Sequence, residues 1–218
     1  MNQDQWGIAM QGCAGVITDA INMAITELKA QPNFELRESK IIYIEIGTGE
    51  GKTVVQVCKI LEKAGVDYLA VAVDIQDAWS FNQEKYLENI QEYVHSVELD
   101  LSGSPEALKR FKDEEVFAVL IDGDHTLEAV VDDFMEADRI VMRGGLIMFH
   151  DSGTDSQGAD AFERQPRGIE VREAIEHLGL LKITNREPKG LDNYRVLVDH
   201  PDEPETQSRG IFIIQKTL

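Results

Sequence analysis

Three stretches of this sequence carry residues of the types that do chemistry. The run EIGTGEGKT at residues 45–53 places Gly47, Gly49 and Gly51 between acids and a Lys-Thr pair. Glycines between a strand and a helix let a ligand come close to the backbone. The run IDGDH at 121–125 holds Asp122 and, three residues on, His125. The run FHD at 149–151 holds His150 and Asp151. Asp122 and Asp151, each at a strand end, can converge on a hard divalent cation such as magnesium, which takes carboxylate oxygens. His125 can accept a proton from a hydroxyl, because an imidazole titrates near neutrality. Blander roles exist: Asp124 as a helix cap, His150 as a hydrogen-bonded structural histidine.

Three ligands compete for the glycine loop. Gly51, Lys52 and Thr53 supply the end of a GxxxxGK[ST] phosphate loop, but its first glycine would fall on Ile46, and Glu50 would bring a carboxylate among phosphates. A dinucleotide loop, GxGxxG, needs glycine where Lys52 stands. S-adenosylmethionine has no phosphates. It presents an ammonium, a sulfonium and a ribose, so acids near the loop suit it. Glu45 can sit near the ammonium, directly or through water. Asp74, closing the second strand, can take both ribose hydroxyls. A solvated strand-end acid and a helix cap are the alternatives for these two. A phosphate-loop nucleotide-binding protein, or a module that binds S-adenosylmethionine without catalysis, stands as the rival to an enzyme.

The elements that must position these residues read as alternating strands and helices. Ile17, Ala20, Ile21, Ala24, Ile25 and Leu28 form a helical stripe within 14–28. IIYIEIG, YLAVAVD, VHSVELDL, VFAVLID and LIMFHD read as five strands, the apolar ones suited to burial in a parallel sheet. Helices are expected after Thr53, over 79–90, after Leu127 and over 168–178. Ser104 and Pro105 suggest an N-cap and first residue of a short helix to Phe111. The RGG at 143–145 is expected to end the helix before the fifth strand. Of ITNRE, YRVLV and GIFIIQ, two or three should finish the sheet, the last two as a hairpin adding an antiparallel edge strand. The expected fold class is α/β, a Rossmann-like doubly wound, mostly parallel sheet with an antiparallel C-terminal strand. A single domain over 1–218 is expected, with an N-terminal helical segment at 1–38. The polar loop 152–167 is a candidate lid, and 200–209 a second long loop.

Taken in order, EIGTGEG, the VD of the second strand, IDGDH and RGGLIMFHD resemble class I S-adenosylmethionine-dependent methyltransferases. The IDGxH and FHD pair is similar to their family-24 branch, which includes metal-dependent O-methyltransferases acting on sugars and is related to the catechol O-methyltransferase type. The resemblance runs over residues 40–178. It implies methyl transfer from S-adenosylmethionine to a hydroxyl of a small molecule or sugar, with magnesium. Gly47, Thr48, Gly49 and Gly51 would line the methionine and ribose, with Asp74 and Ile75 at the ribose. Leu101, Ser102 and Gly103 would lie near adenine. Asp122, beside the cofactor, and Asp151 would bind the ion, and His125 would be the base. The catechol type carries Asp-Asn after its fifth strand. Here His150 and Ser152 flank Asp151, and His150 is taken as the third ligand.

Composition narrows the partners. The chain has 218 residues, long enough to bury a core without disulfides. It has two cysteines, Cys13 and Cys58, with neither a disulfide framework nor a zinc spacing. Lys and Arg number 21 against 40 Asp and Glu, a net charge of −19, which repels nucleic acid and anionic lipid. No apolar run suits a membrane span, and the N-terminus lacks the pattern of a signal peptide. The expected setting is cytoplasmic, the partner a small-molecule acceptor, with a homo-oligomer open.

Overall fold

A computed structural model of the chain describes residues 3–31, 40–153, 167–182, 193–200 and 210–217. Among these residues seven strands form one sheet: β1 (Ile41–Ile46), β2 (Tyr68–Val73), β3 (Val97–Asp100), β4 (Val116–Ile121), β5 (Val141–His150), β6 (Tyr194–His200) and β7 (Ile211–Lys216). Their order is β3-β2-β1-β4-β5-β7-β6. The first five pair in parallel, and β7 runs antiparallel to both its neighbours. The chain reverses its direction of strand addition between β1 and β4, and this is where ligands bind in open sheets of this kind. The doubly wound expectation holds.

Among the described residues five α-helices cover the two faces: α1 (Gln3–Lys29), α2 (Lys52–Ala64), α3 (Gln76–Ile90), α4 (Leu127–Ile140) and α5 (Arg167–His177). A 3-10 helix, Glu106–Arg110, follows β3. Strand side chains alternate between faces. Tyr43, Ala70, Ala72, Ala118, Leu120 and Met148 therefore pack with α1, α2 and α3, including Ile21, Val57, Leu61 and Tyr86. Ile44, Val71, Val119, Ile121, Ile147 and Phe149 point the other way, onto the 3-10 helix, α4 and α5. Cys58 is buried with the first set, as a small hydrophobe should be.

Two local expectations need correcting. The RGG does not stop α4. That helix ends at Ile140, and Val141 opens β5 directly, so the glycines lie inside the strand. Gly145 is there because a Cβ would stand 2.5 Å from the Phe117 carbonyl oxygen, where the β4–β5 register shifts. Ser104 is not an N-cap. Pro105 precedes the 3-10 helix, and the Ser104 hydroxyl donates instead to Asp133 on α4. As expected, β6 and β7 pair antiparallel at the end of the sheet; β7 inserts between β5 and β6 and leaves β6 outermost. The buried residues of β7 demand neighbours on both sides, whereas β6 is mostly half-exposed. ITNRE and most of the 152–167 and 200–209 loops lie outside the described residues.

Candidate functional site

The loop between β1 and α2 is built on a close approach. Gly47 has φ +80°, and a Cβ there would stand 2.1 Å from the Asp122 carbonyl oxygen. The first glycine thus seats the β1 turn against the β4 turn as well as opening room for a ligand. Behind the loop, Gly51 abuts the Tyr86 ring, where a Cβ would come within 2.9 Å.

Asp74, directly after β2, is fixed by two backbone amides. Gly49 N–H donates to Oδ2 at 3.1 Å and Ile75 N–H to Oδ1 at 2.8 Å. Burial raises its pKa and these bonds oppose the rise. Each oxygen keeps a lone pair for a ligand hydroxyl.

The second cluster lies at the ends of β4 and β5. His125 Nε2 is 3.3 Å from Asp122 Oδ1 and 3.7 Å from Asp151 Oδ2. His150 Nδ1 is 2.9 Å from Asp122 Oδ1 and 3.2 Å from Asp151 Oδ1. Burial works against ionised Asp122, but the charge of His150 and the bond from His125 outweigh it and hold the carboxyl well below its ordinary range. Asp151 has φ +54°. A non-glycine residue held in this left-handed region stores strain, a hallmark of functional turns.

Asp122, His125 and Asp151 each offer one donor atom, all within 4.8 Å of one another, a set able to hold a metal ion. Two carboxylates and an imidazole suit a divalent cation. His150, expected as the third ligand, is outside this group of three; only 4% of the residue is exposed, and its Nδ1 is hydrogen-bonded to Asp122. The type-and-spacing signal was present for both histidines. It could not say which one faces outward, because that depends on the turn after β4.

A cavity of about 680 Å³ runs from Gly47, Gly49 and Asp74 to Asp122 and His125, and His150 and Asp151 are not on its wall. Of the residues expected to touch a cofactor, Gly47, Gly49, Asp74, Ile75 and Asp122 line it. Glu45, Thr48, Gly51 and Ser102 are not on its wall. Glu45 is buried on the α2 side of β1, where the Tyr43 hydroxyl donates to Oε2 at 2.7 Å. Burial raises its pKa to about 8, the Tyr43 bond opposing and the Asp122 charge adding. The Ser102 hydroxyl donates to Asp100 Oδ1 at 2.6 Å, and it is Gly103, Ser104 and Pro105 that reach the cavity. Sequence reasoning missed Asp133, which is on the cavity wall although only 4% exposed. The helical pattern of α4 gave no sign that an acid would face inward.

Residues 44–152, from the middle of β1 through the turn after β5, match the family-24 methyltransferase domain. The chain belongs to this methyltransferase family. Both clusters fall within the matched span. The fold is similar to that of solved methyltransferases. One is the O-methyltransferase TomG of Streptomyces achromogenes, involved in tomaymycin synthesis and solved with S-adenosylmethionine: TM-score 0.59, 14% identity, 100% of this chain and 91% of that one. Another is the Bacillus cereus O-methyltransferase solved with S-adenosylhomocysteine: TM-score 0.57, 14% identity, 99% and 92% covered. The CurJ carbon methyltransferase is also similar, with TM-score 0.51, 13% identity and 88% and 51% covered. Among curated proteins, an uncharacterized protein of Acanthamoeba polyphaga mimivirus is 32% identical over 127 residues, and the match spans 51% of each chain. This chain thus matches about half the length of that relative. No helix among the described residues is long and apolar enough to cross a membrane.

Proposed function

We propose that this methyltransferase moves the methyl group of S-adenosylmethionine to a hydroxyl of a small molecule or sugar. The observation that carries the reading is the single cavity that joins Gly47, Gly49 and Asp74 at one end to Asp122 and His125 at the other. Asp74 would take the ribose hydroxyls. Gly47 and Gly49 would let the methionine lie against the backbone, with Ile75 beside the nucleoside. Glu45, Thr48 and Gly51 would support the loop from behind. The solved TomG and Bacillus cereus enzymes, with S-adenosylmethionine and S-adenosylhomocysteine bound, support the choice of cofactor.

The acceptor oxygen attacks the methyl carbon as the carbon–sulfur bond breaks, so the sulfonium becomes a neutral thioether. The hydroxyl proton goes to His125, whose ring is held by Asp122. Holding oxygen and methyl in line at attack distance is the chain's main contribution. Asp122 and Asp151 would hold a divalent ion, magnesium or a similar metal. Such an ion, when bound, supplies positive charge that favours the alkoxide. His150 keeps the Asp122 carboxylate aimed.

Two measurements test this. Thermal shift should rise with S-adenosylhomocysteine and stay flat with ATP and magnesium, since only a ligand of the native state stabilises it. The reverse pattern would restore the phosphate-loop reading. Asp122→Ala should abolish turnover of a hydroxyl acceptor and leave S-adenosylhomocysteine binding within roughly threefold, because the ribose and methionine contacts remain. Equal turnover in the variant would remove Asp122 from the mechanism. Binding without transfer to any hydroxyl compound in a broad panel would favour the non-catalytic module.

A further inference from the structure

We propose that Glu170 of α5 selects acceptors that carry an ammonium group beside the methylated hydroxyl, so that the substrate class is the amino alcohols, amino sugars among them. The inference rests on the methyl-transfer reading above and deepens it by naming the charge of the acceptor. With the nucleoside on Asp74 and Ile75 and the methionine on Gly47 and Gly49, the acceptor must use the wall beside Asp122 and His125. There the turn between β4 and α4 supplies Asp124 and Thr126, and α5 supplies Glu170. Glu170 is held against this turn by the Leu127 amide, which donates to Oε2 at 3.2 Å. Leu127 lies two residues beyond His125, so the carboxylate stands on the side of the cavity where the proton is taken.

That bond occupies one oxygen. Among the described residues Oε1 has no hydrogen-bond or ion-pair partner, and the half-buried side chain lines the cavity. Asp124 differs, being exposed and already accepting from the Thr126 amide at 3.0 Å. Among the described residues no Lys or Arg lines the cavity, so nothing there neutralises Glu170 or pairs with an anionic acceptor. A phosphate or carboxylate on the acceptor would meet like charge in a cleft that concentrates the field. An ammonium would donate a charge-assisted hydrogen bond to Oε1, stronger than any a neutral hydroxyl could offer. The protonated nitrogen has no lone pair with which to attack the methyl carbon. Oxygen therefore stays the nucleophile, and its proton goes to His125.

The test uses two pairs of compounds, each pair exchanging one ammonium for one hydroxyl. Dopamine is set against hydroxytyrosol, and methyl glucosaminide against methyl glucoside. Transfer of labelled methyl from S-adenosylmethionine is followed just below neutral pH, where the amines are mainly protonated, with magnesium in every run. In the pair that is methylated, the ammonium member should have a kcat/KM at least roughly tenfold higher, as for a charge-assisted contact made by one substrate and not the other. Glu170→Gln, whose carbonyl still accepts from Leu127, should raise KM for the ammonium member roughly tenfold with kcat little changed, and so narrow the ratio to a few-fold. Ligand-free unfolding curves check that the variant folds. Equal rates within each pair, a preference for the alcohols, no transfer to either ammonium compound, or a variant that loses both members of a pair alike overturns the assignment. Methylated alcohols in those cases leave the hydroxyl-transfer reading standing. Calorimetry with S-adenosylhomocysteine alone tests the cofactor separately, and no binding there overturns both.

Discussion

Glu45 shows how one side chain can serve a site from outside it. In the unfolded chain its carboxyl ionises near 4.5, whereas burial in the folded chain lifts this to about 8. Between those values the folded state holds a proton that the unfolded state has lost. Its contribution to stability is therefore present below the lower value and declines as pH rises towards the upper one. Glu45→Gln, which keeps an acceptor for the Tyr43 hydroxyl, should flatten the fall in melting temperature between about pH 5 and about pH 8.5 and melt higher than wild type at the upper end. Thermal scans of the two proteins across that range check this, and parallel curves would contradict it. At this scale the sequence was informative about residue type and less so about direction. Asp74, Asp122 and Asp151 could be picked out because each closes a strand. The outward placing of His125, the inward placing of His150 and the inward face of Asp133 are set by turn geometry and helix phase, which no spacing records.

At the scale of elements, α1 acts as a strap over the sheet. Ile17, Ile21, Ala24, Ile25 and Leu28 are buried against α2 and the strands. Glu27 accepts from Arg195 of β6 and, at 3.1 Å, from Gln215 of β7. The helix thereby ties the last two strands to the first part of the chain. Ile21 is fully buried, so Ile21→Ala should cost about 2–5 kcal/mol through lost contacts and the cavity left behind. Denaturant unfolding measures it, and a cost below about 1 kcal/mol would mean that α1 is loosely held. The stripe that places α1 was legible because helical periodicity is local. β1, β2, β4 and β5 were legible because continuous apolar runs mark a sheet buried on both faces. The position of β7 was not, because two neighbouring strands leave open which of them meets β5. The RGG was misread because glycine serves a bulge and a helix stop equally well.

For the whole molecule, charge is the dominant feature. The net charge of −19 is not spread evenly, since Asp74, Asp122, Asp124, Asp132, Asp133 and Glu170 all line the one cavity. Among the described residues no Lys or Arg lines it. Crowding like charges opposes the compact state, and dissolved ions screen it. Raising sodium chloride from about 0.02 M to about 0.5 M should therefore raise the melting temperature of the ligand-free protein by several degrees. Scanning fluorimetry at fixed pH reads the effect, and a drop would mean that stabilising ion pairs such as Arg172 with Asp199 outweigh the repulsion.

The placing of β7 also bears on the order in which the protein can be finished. Tyr194–His200 leaves the ribosome before Ile211–Lys216, yet it has no place in the sheet until that later strand has slotted in against β5. During synthesis the open flank of β5 waits, apolar and unpaired, for residues made some sixty positions later. An exposed flank of this kind invites another chain to pair with it. Stalling or clipping upstream of residue 211 would thus strip away two strands at once and leave a product prone to clump.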